Sequence, residues 1–125
     1  MGRQIRILLV DGHEGYRAGL ARAIADHAEL ELVGEAGNGR EGLEQALLLR
    51  PDLLVAEVRL PQLGGLDLCR TLAGLDEPLE TRTVVLSTGP NEALVAAAAE
   101  AGAVAVLDKA AARQELCQRL AELGG

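Results

Sequence analysis

LLVAEVRLPQLGG, residues 53–65, sets a short apolar run (Leu53 to Ala56) against a carboxylate, Glu57, and then a Pro/Gly-rich loop. Four apolar residues bounded by turn formers have the pattern of a strand buried on both faces, as in a parallel sheet. Ligands and chemistry gather at the carboxyl ends of strands in open α/β sheets, so an acid placed there is a candidate reactive group. Taken alone, Glu57 is equally a solvated residue just past a strand. How the other strands end separates these readings.

Upstream, Ile5 to Val10 is an apolar run, interrupted by Arg6 alone, and is closed by Asp11-Gly12. Tyr16, Leu20, Ile24 and His27 recur at helical spacing, and Leu30 to Val33 forms a second short strand. Asn38 can cap a helix that turns Leu43, Ala46 and Leu47 inward, and Arg50-Pro51 stops it. Downstream, Leu68, Leu72 and Leu75 share a helix face, and DEPLET (76–81) is a polar loop. Thr83 to Ser87 is the next strand, followed by Thr88 and Gly89-Pro90. Asn91 can cap an alanine-rich helix to Ala101, which Gly102 ends. Ala103 to Leu107 is the last strand, followed by Asp108-Lys109, and Leu116, Leu120 and Leu123 stripe the final helix. Five strands alternating with five helices predict one α/β domain over residues 1–125. Right-handed crossovers narrow it to a doubly wound, five-stranded parallel sheet in the order 2-1-3-4-5, with helices on both faces.

The chain is 49% hydrophobic but 1% aromatic, so its core must come from Leu, Val, Ile and Ala. A net charge of −7 argues against this segment gripping nucleic acid itself, which needs a basic footprint. Cys69 and Cys117 match no metal or CxxC spacing and read as reduced, partly buried thiols of a cytoplasmic protein. Glu100 interrupts the Ala-rich run, so no segment reads as membrane-spanning. No signal peptide is recognisable, and Met1-Gly2 does not begin a myristoylation site, because Arg6 stands where Ser or Thr is needed.

In the 2-1-3-4-5 order, Asp11, Glu57, Ser87 with Thr88, and Lys109 all fall at one crevice, each at the end of a different strand. Such a set suits a phosphoryl group: lysine neutralises its charge, a hydroxyl donates to it, and carboxylates hold a divalent cation or accept the phosphoryl group. The segments IRILLVDGHEGYRAGL, VGEAGNGREGLEQA, RPDLLVAEVRLPQLGGLDL, RTVVLST and EAGAVAVLDKAA carry a strong resemblance at this point. In order and spacing they resemble the CheY-like, flavodoxin-like receiver domain of two-component response regulators, of the kind that precedes a DNA-binding domain in NarL/LuxR-type transcription factors. The resemblance implies that Glu57 holds the phosphoacceptor position and Asp11 belongs to the acidic pocket. It likewise makes Ser87 the switch hydroxyl, Lys109 the phosphate-neutralising lysine, and Val106 the occupant of the switch-aromatic position.

The departures from that pattern are as informative. The family usually reads Asp-Asp after the first strand and Asp at the acceptor; here Gly12 replaces one acid, and Glu57 replaces the other. Mg²⁺ would be left with Asp11, Glu57 and a backbone carbonyl, short of the near-octahedral oxygen shell it prefers. A Glu acceptor displaces the nucleophilic oxygen by about 1.5 Å, a misplacement that can cost ~10²-fold in a positioned reaction. The longer side chain can instead reach Lys109 or Ser87 and imitate part of a phosphoaspartate.

The expected function is therefore a non-enzymatic, atypical receiver that needs neither phosphorylation nor cofactor. It would control dimerisation with itself or another response regulator, or the exposure of a DNA-binding domain outside this chain. Its output face would be the small apolar surface of Leu94, Val95, Ala96 to Ala99, Val104 and Val106. Two other readings use the same residues: a working phosphorelay receiver, served by a sensor kinase and accepting phosphate at Glu57 with weak Mg²⁺, and a small-molecule- or nucleotide-sensing domain.

Several motifs carry less. Gly37 to Gly42 fits GxGxxG, but it follows an edge strand away from the crevice and reads better as a turn with a helix cap. His13 reads as an exposed loop histidine rather than a metal ligand, Asp108 as a solvated acid, and Arg59 and Arg113 as surface charges.

Overall fold

Strand β1 (Ile5–Val10) lies inside a five-stranded parallel sheet, and its side chains alternate between two cores. Ile5, Ile7 and Leu9 pack with Leu20 and Ile24 of helix α1 (Glu14–Asp26) and with Leu116 and Leu120 of helix α5 (Arg113–Gly124). Leu8 and Val10 face the other way, toward Ala46 of α2 (Gly39–Leu49) and Leu68 and Leu72 of α3 (Gly65–Ala73). A strand buried on both faces has little room for polar alternation, which is why this one is apolar at every position but Arg6, whose guanidinium donates to the Arg50 carbonyl. The structure is a computed structural model that describes residues 2–125; Met1, part of the Met1-Gly2 sequence considered above, lies outside the described residues.

The remaining elements are β2 (Leu30–Ala36), β3 (Leu53–Glu57), β4 (Arg82–Ser87), α4 (Glu92–Glu100) and β5 (Ala103–Asp108). The sheet order is β2-β1-β3-β4-β5, the expected doubly wound arrangement. Leu53 and Val55 of β3 join the α1/α5 core, while Leu54 and Ala56 join the α2/α3 core. A third cluster, Cys69, Val85, Ala98 and Ala101, seats α4 beside α3. Both cysteines are buried and free.

Local chemistry sets the helix ends. Asn38 and Asn91 accept from the backbone N–H groups of Glu41 and Leu94, capping α2 and α4. α2 ends on Arg50 in the left-handed region (φ 47°), just before Pro51, which disfavours helical backbone in the residue it follows.

Among the boundaries that differ from the sequence expectation, those of β2, α1 and α3 bear on packing. β2 continues past Val33 to Ala36, because a register shift opposite Ile7 and Leu8 absorbs one residue and brings Gly34 into the ladder. Gly34 has no side chain to meet Gln45, whose Oε1 would be 2.5 Å from a Cβ there. α1 stops at Asp26, and His27 is its C-cap rather than a buried turn. α3 stops at Ala73, so Leu75 packs on the core from the following loop.

Candidate functional site

Parallel pairing with β3 on one side and β5 on the other sets β4 so that Glu57 lies beside Leu86 and Ser87 beside Asp108. With β1 on the far side of β3, the carboxyl ends of β1, β3, β4 and β5 form one rim. Asp11, directly after β1, is fully buried. Its Oδ1 accepts from the His13 N–H at 2.7 Å, and its carbonyl accepts from Arg17 Nη1 at 2.7 Å. Glu57, the last residue of β3, is half-buried. Ser87 closes β4 and is buried, and its carbonyl accepts from the Lys109 N–H at 2.9 Å.

Lys109 joins the cluster. Its side chain is 9% exposed, and Nζ lies 2.8 Å from Asp11 Oδ2 and 3.3 Å from Glu57 Oε1. The expectation that the longer Glu57 carboxylate reaches Lys109 therefore matches the geometry. The Asp11 contact is one of charge: Oδ2 has no aligned hydrogen bond. Burial raises the Glu57 carboxyl above its ordinary value, and a hydrogen bond and like charge from Asp11 raise it further, while Lys109 opposes both. The cause is physical: with both acids ionised neither has a proton to donate, and a proton on Glu57 supplies one that Asp11 can accept.

Gly12 is exposed and faces Pro61, whose Cδ would be 3.1 Å from a Cβ at position 12, with the Gly37 carbonyl oxygen at 3.2 Å. Pro61 belongs to a tight loop: its carbonyl accepts from Leu63 N–H at 2.8 Å and Gly39 N–H at 3.1 Å, with Gln62 at φ 69° between. Mg²⁺ asks for about six oxygens in near-octahedral array. Here Asp11 Oδ1 accepts from the His13 N–H and Oδ2 faces the Lys109 ammonium, Glu57 leans on Lys109, and Gly12 offers no side chain. Among the described residues, no group of three or more His, Cys, Asp or Glu side chains is arranged to hold a metal. The residues present do not fit the cation, and an ammonium group lies between the two acids instead.

The other candidates fall outside this cluster. His13 is exposed and caps α1, its Nδ1 accepting from Tyr16 N–H at 3.4 Å. Asp108 ends β5 and accepts from Ala110 N–H at 2.8 Å, so it shapes the turn that presents Lys109 instead of standing free in solvent. Arg59 is exposed, and Val106 is half-buried on β5. The GxGxxG glycines serve close packing: a Cβ on Gly39 would run into the Leu63 carbonyl, and one on Gly42 into Val10. The N-terminus of α2 is thereby covered by the loop after β3.

Sequence reasoning missed two residues here. In the sequence Tyr16 reads only as an apolar helix position, yet its ring centroid is 4.2 Å from Lys109 Nζ. Burial, with help from Asp11, pushes its phenol up to about 12. Arg113, read as a surface charge, packs its guanidinium 5.5 Å from the same ring. The available signal was that Tyr16 is the sole aromatic of the chain. With His13, Thr88, Lys109 and Ala110, Tyr16 lines a shallow recess of about 280 Å³ at the mouth of the crevice.

Comparison with known proteins agrees with this architecture. The family described as the response regulator receiver domain matches residues 7–121. The response regulator GacA of Pseudomonas viridiflava is 33% identical over 116 residues, 93% of this chain and 53% of that protein. The DNA-binding transcriptional activator DevR/DosR of Mycobacterium tuberculosis is 33% identical over 120 residues, 96% of this chain and 54% of that one. The chain thus spans about half the length of these curated relatives. Among solved structures, the signal receiver domain described as NarL from M. tuberculosis superposes with a TM-score of 0.92 at 26% identity, covering 98% of each chain. Fold, strand order and sequence together make this chain a member of the response regulator receiver domain family of two-component signalling.

Proposed function

We propose that this chain is an atypical, non-enzymatic receiver that signals without phosphoryl transfer. The observation that carries the reading is Lys109 Nζ lying between Asp11 and Glu57, at 2.8 and 3.3 Å, beside a glycine where an acid would complete a cation site. Lys109, which would neutralise an arriving phosphate, is already neutralised by the chain's own carboxylates. Glu57, Ser87 and Lys109 keep the phosphoacceptor, hydroxyl and lysine positions, while Gly12 and Val106 vacate the cation-ligand and switch-aromatic positions.

Output is then a matter of contacts. The apolar α4–β5 surface would pair with a second copy or another response regulator, or would dock a DNA-binding domain such as the printed name of DevR/DosR implies for that relative. No helix among the described residues is long and apolar enough to cross a membrane, in keeping with a module that works among cytoplasmic partners.

Intact mass after incubation with acetyl phosphate and MgCl₂ tests the chemistry, with Gly12→Asp/Glu57→Asp as the comparison. The native chain should stay unmodified while the double variant gains a phosphoryl group, once Pro61 gives way by a few tenths of an ångström. Phosphorylation of the native chain at Glu57 would overturn the proposal in favour of a working phosphorelay receiver.

A further inference from the structure

Tyr16 is the chain's sole aromatic side chain, and it stands on the first turn of α1. Leu20 and Ile24, one and two turns on, enter the α1/α5 core. Tyr16 begins that stripe and so meets the rim where the strands end. There its ring centroid lies 4.2 Å from Lys109 Nζ. An ammonium has three donors and no acceptor. Two directions lead to Asp11 and Glu57, and the ring covers another. A cation against an aromatic face is held more strongly when water is kept away, and Lys109 is largely buried.

The ring, not the hydroxyl, makes this contact. The Tyr16 hydroxyl oxygen is buried and has no hydrogen-bond partner among the described residues. A residue chosen for its hydroxyl would leave that group paired.

The ring also meets the start of α5. The Arg113 guanidinium carbon is 5.5 Å from the ring centroid. The same guanidinium lies across Gly19, where a Cβ would meet Nη2 at 2.5 Å, Nε at 2.8 Å and Cζ at 2.9 Å. Gly19 is three residues beyond Tyr16, hence on the same helix face. The missing side chain therefore forms a slot that seats the first residue of α5 on α1, beside the ring. A continuous stack runs from Glu57 and Asp11 through Lys109 and Tyr16 to Arg113. β5 offers no comparable ring, because position 106 is Val.

We propose that Tyr16 is a positioning residue whose ring holds the Lys109 ammonium between Asp11 and Glu57 and passes changes in that cluster, through Arg113, to the first turn of α5. This goes beyond the proposed function and rests on it only in taking the Lys109 cluster as the seat of the signal. Coupling of this kind needs contiguous packed groups, which the stack supplies, and a direct test of coupling.

The test perturbs one end and reads the other. Glu57→Gln removes one of the two charges facing Lys109, and backbone amide NMR shifts report Arg113 to Leu116 and Gly19. The perturbation is introduced into the native chain and into Tyr16→Phe, Tyr16→Leu and Arg113→Gln backgrounds. Native and Tyr16→Phe proteins should show the α5 response. Tyr16→Leu and Arg113→Gln should lose it, while shifts at the β3 and β4 neighbours of Glu57 persist in all four. An α5 response that survives unchanged in Tyr16→Leu or Arg113→Gln overturns the proposal, as does Tyr16→Phe behaving like Tyr16→Leu. A purely space-filling Tyr16 would leave the response indifferent to Arg113. Should Tyr16→Leu fail to fold, Arg113→Gln, a change at an exposed position, decides alone. Phosphoryl uptake is read separately by mass, so failure of the phosphorylation reading and failure of this coupling give different results.

Discussion

One methylene separates Glu57 from an aspartate, and in this crevice it brings the carboxylate to 3.3 Å from an ammonium that Asp11 already holds at 2.8 Å. Two acids share one base, so the cluster carries a net negative charge when all three are ionised. Glu57 is the group that yields, its carboxyl raised above the ordinary 4.5, first by burial and then by Asp11. The native state then binds its proton more tightly than the unfolded chain does. The stabilising contribution of that proton is complete below the unfolded value and is lost as pH rises through the raised folded value. Glu57→Gln should therefore make the protein more stable at pH 7 and flatten its stability between mildly acidic and neutral pH, as read by urea unfolding across that range. Lys109→Met should do the reverse. Stranding a buried carboxylate without its counter-charge costs on the order of 3 kcal/mol, and the loss should shrink as acid protonates Glu57. If Lys109→Met unfolds at the same urea concentration as the native chain, the ammonium is not what balances the two acids.

The loop between β3 and α3 fixes that crevice from the side, and its geometry shows how far local sequence carries. Gly39 opens α2 beneath this loop, with its N–H bonded to Pro61 O at 3.1 Å and no space for a Cβ beside the Leu63 carbonyl. Because the obstacle is backbone, a substituted chain must move an element to relieve it. Gly39→Ala should cost about 1–3 kcal/mol, the range typical of overpacking. It should also speed hydrogen exchange at Gly39 relative to the β1 amides, which an unchanged rate would contradict. The glycine-rich stretch was legible as a turn and cap from Asn38, but the covering loop was not, since a sequence pattern records spacing and not what lies across it. The same limit explains the rest. β1 and β3 are plain because burial on both faces leaves an apolar run, broken in β1 by Arg6 alone. β2 reads short in the sequence because Gly34 looks like a breaker until the register shift is visible. Asp11, Glu57 and Lys109 were found as strand-end residues, because topology alone brings strand ends together. The Tyr16–Arg113 contact depends on a slot at Gly19 that seats a residue far away in the chain, and no periodicity announces it.

At the scale of the whole molecule, charge and apolar surface oppose each other. A net charge of −7 makes two copies repel, and that repulsion reaches only about a Debye length, ~8 Å at physiological ionic strength. The α4–β5 side supplies the contrary term. Val95 is 52% exposed and Val104 47% exposed, with exposed Ala96 and Ala99 beside them on α4. β5 is also an edge strand, so its outer backbone is unpaired within the sheet. Small side chains let two such faces approach closely, while the acids elsewhere on the surface limit how long they stay together at low salt. If this face is the output surface, association should strengthen as salt rises from low to physiological concentration, because screening removes repulsion and leaves apolar burial untouched. Val95→Glu/Val104→Glu should abolish that association without lowering the stability by more than about 0.5 kcal/mol, the usual scale for surface changes. Sedimentation velocity across a salt series reads both effects. A native chain that stays monomeric at high concentration and moderate salt would remove self-association from the isolated receiver and leave the apolar face to a different partner. Salt-dependent dimers that survive both glutamates would move the interface elsewhere, with the α1–α5 side the first to test.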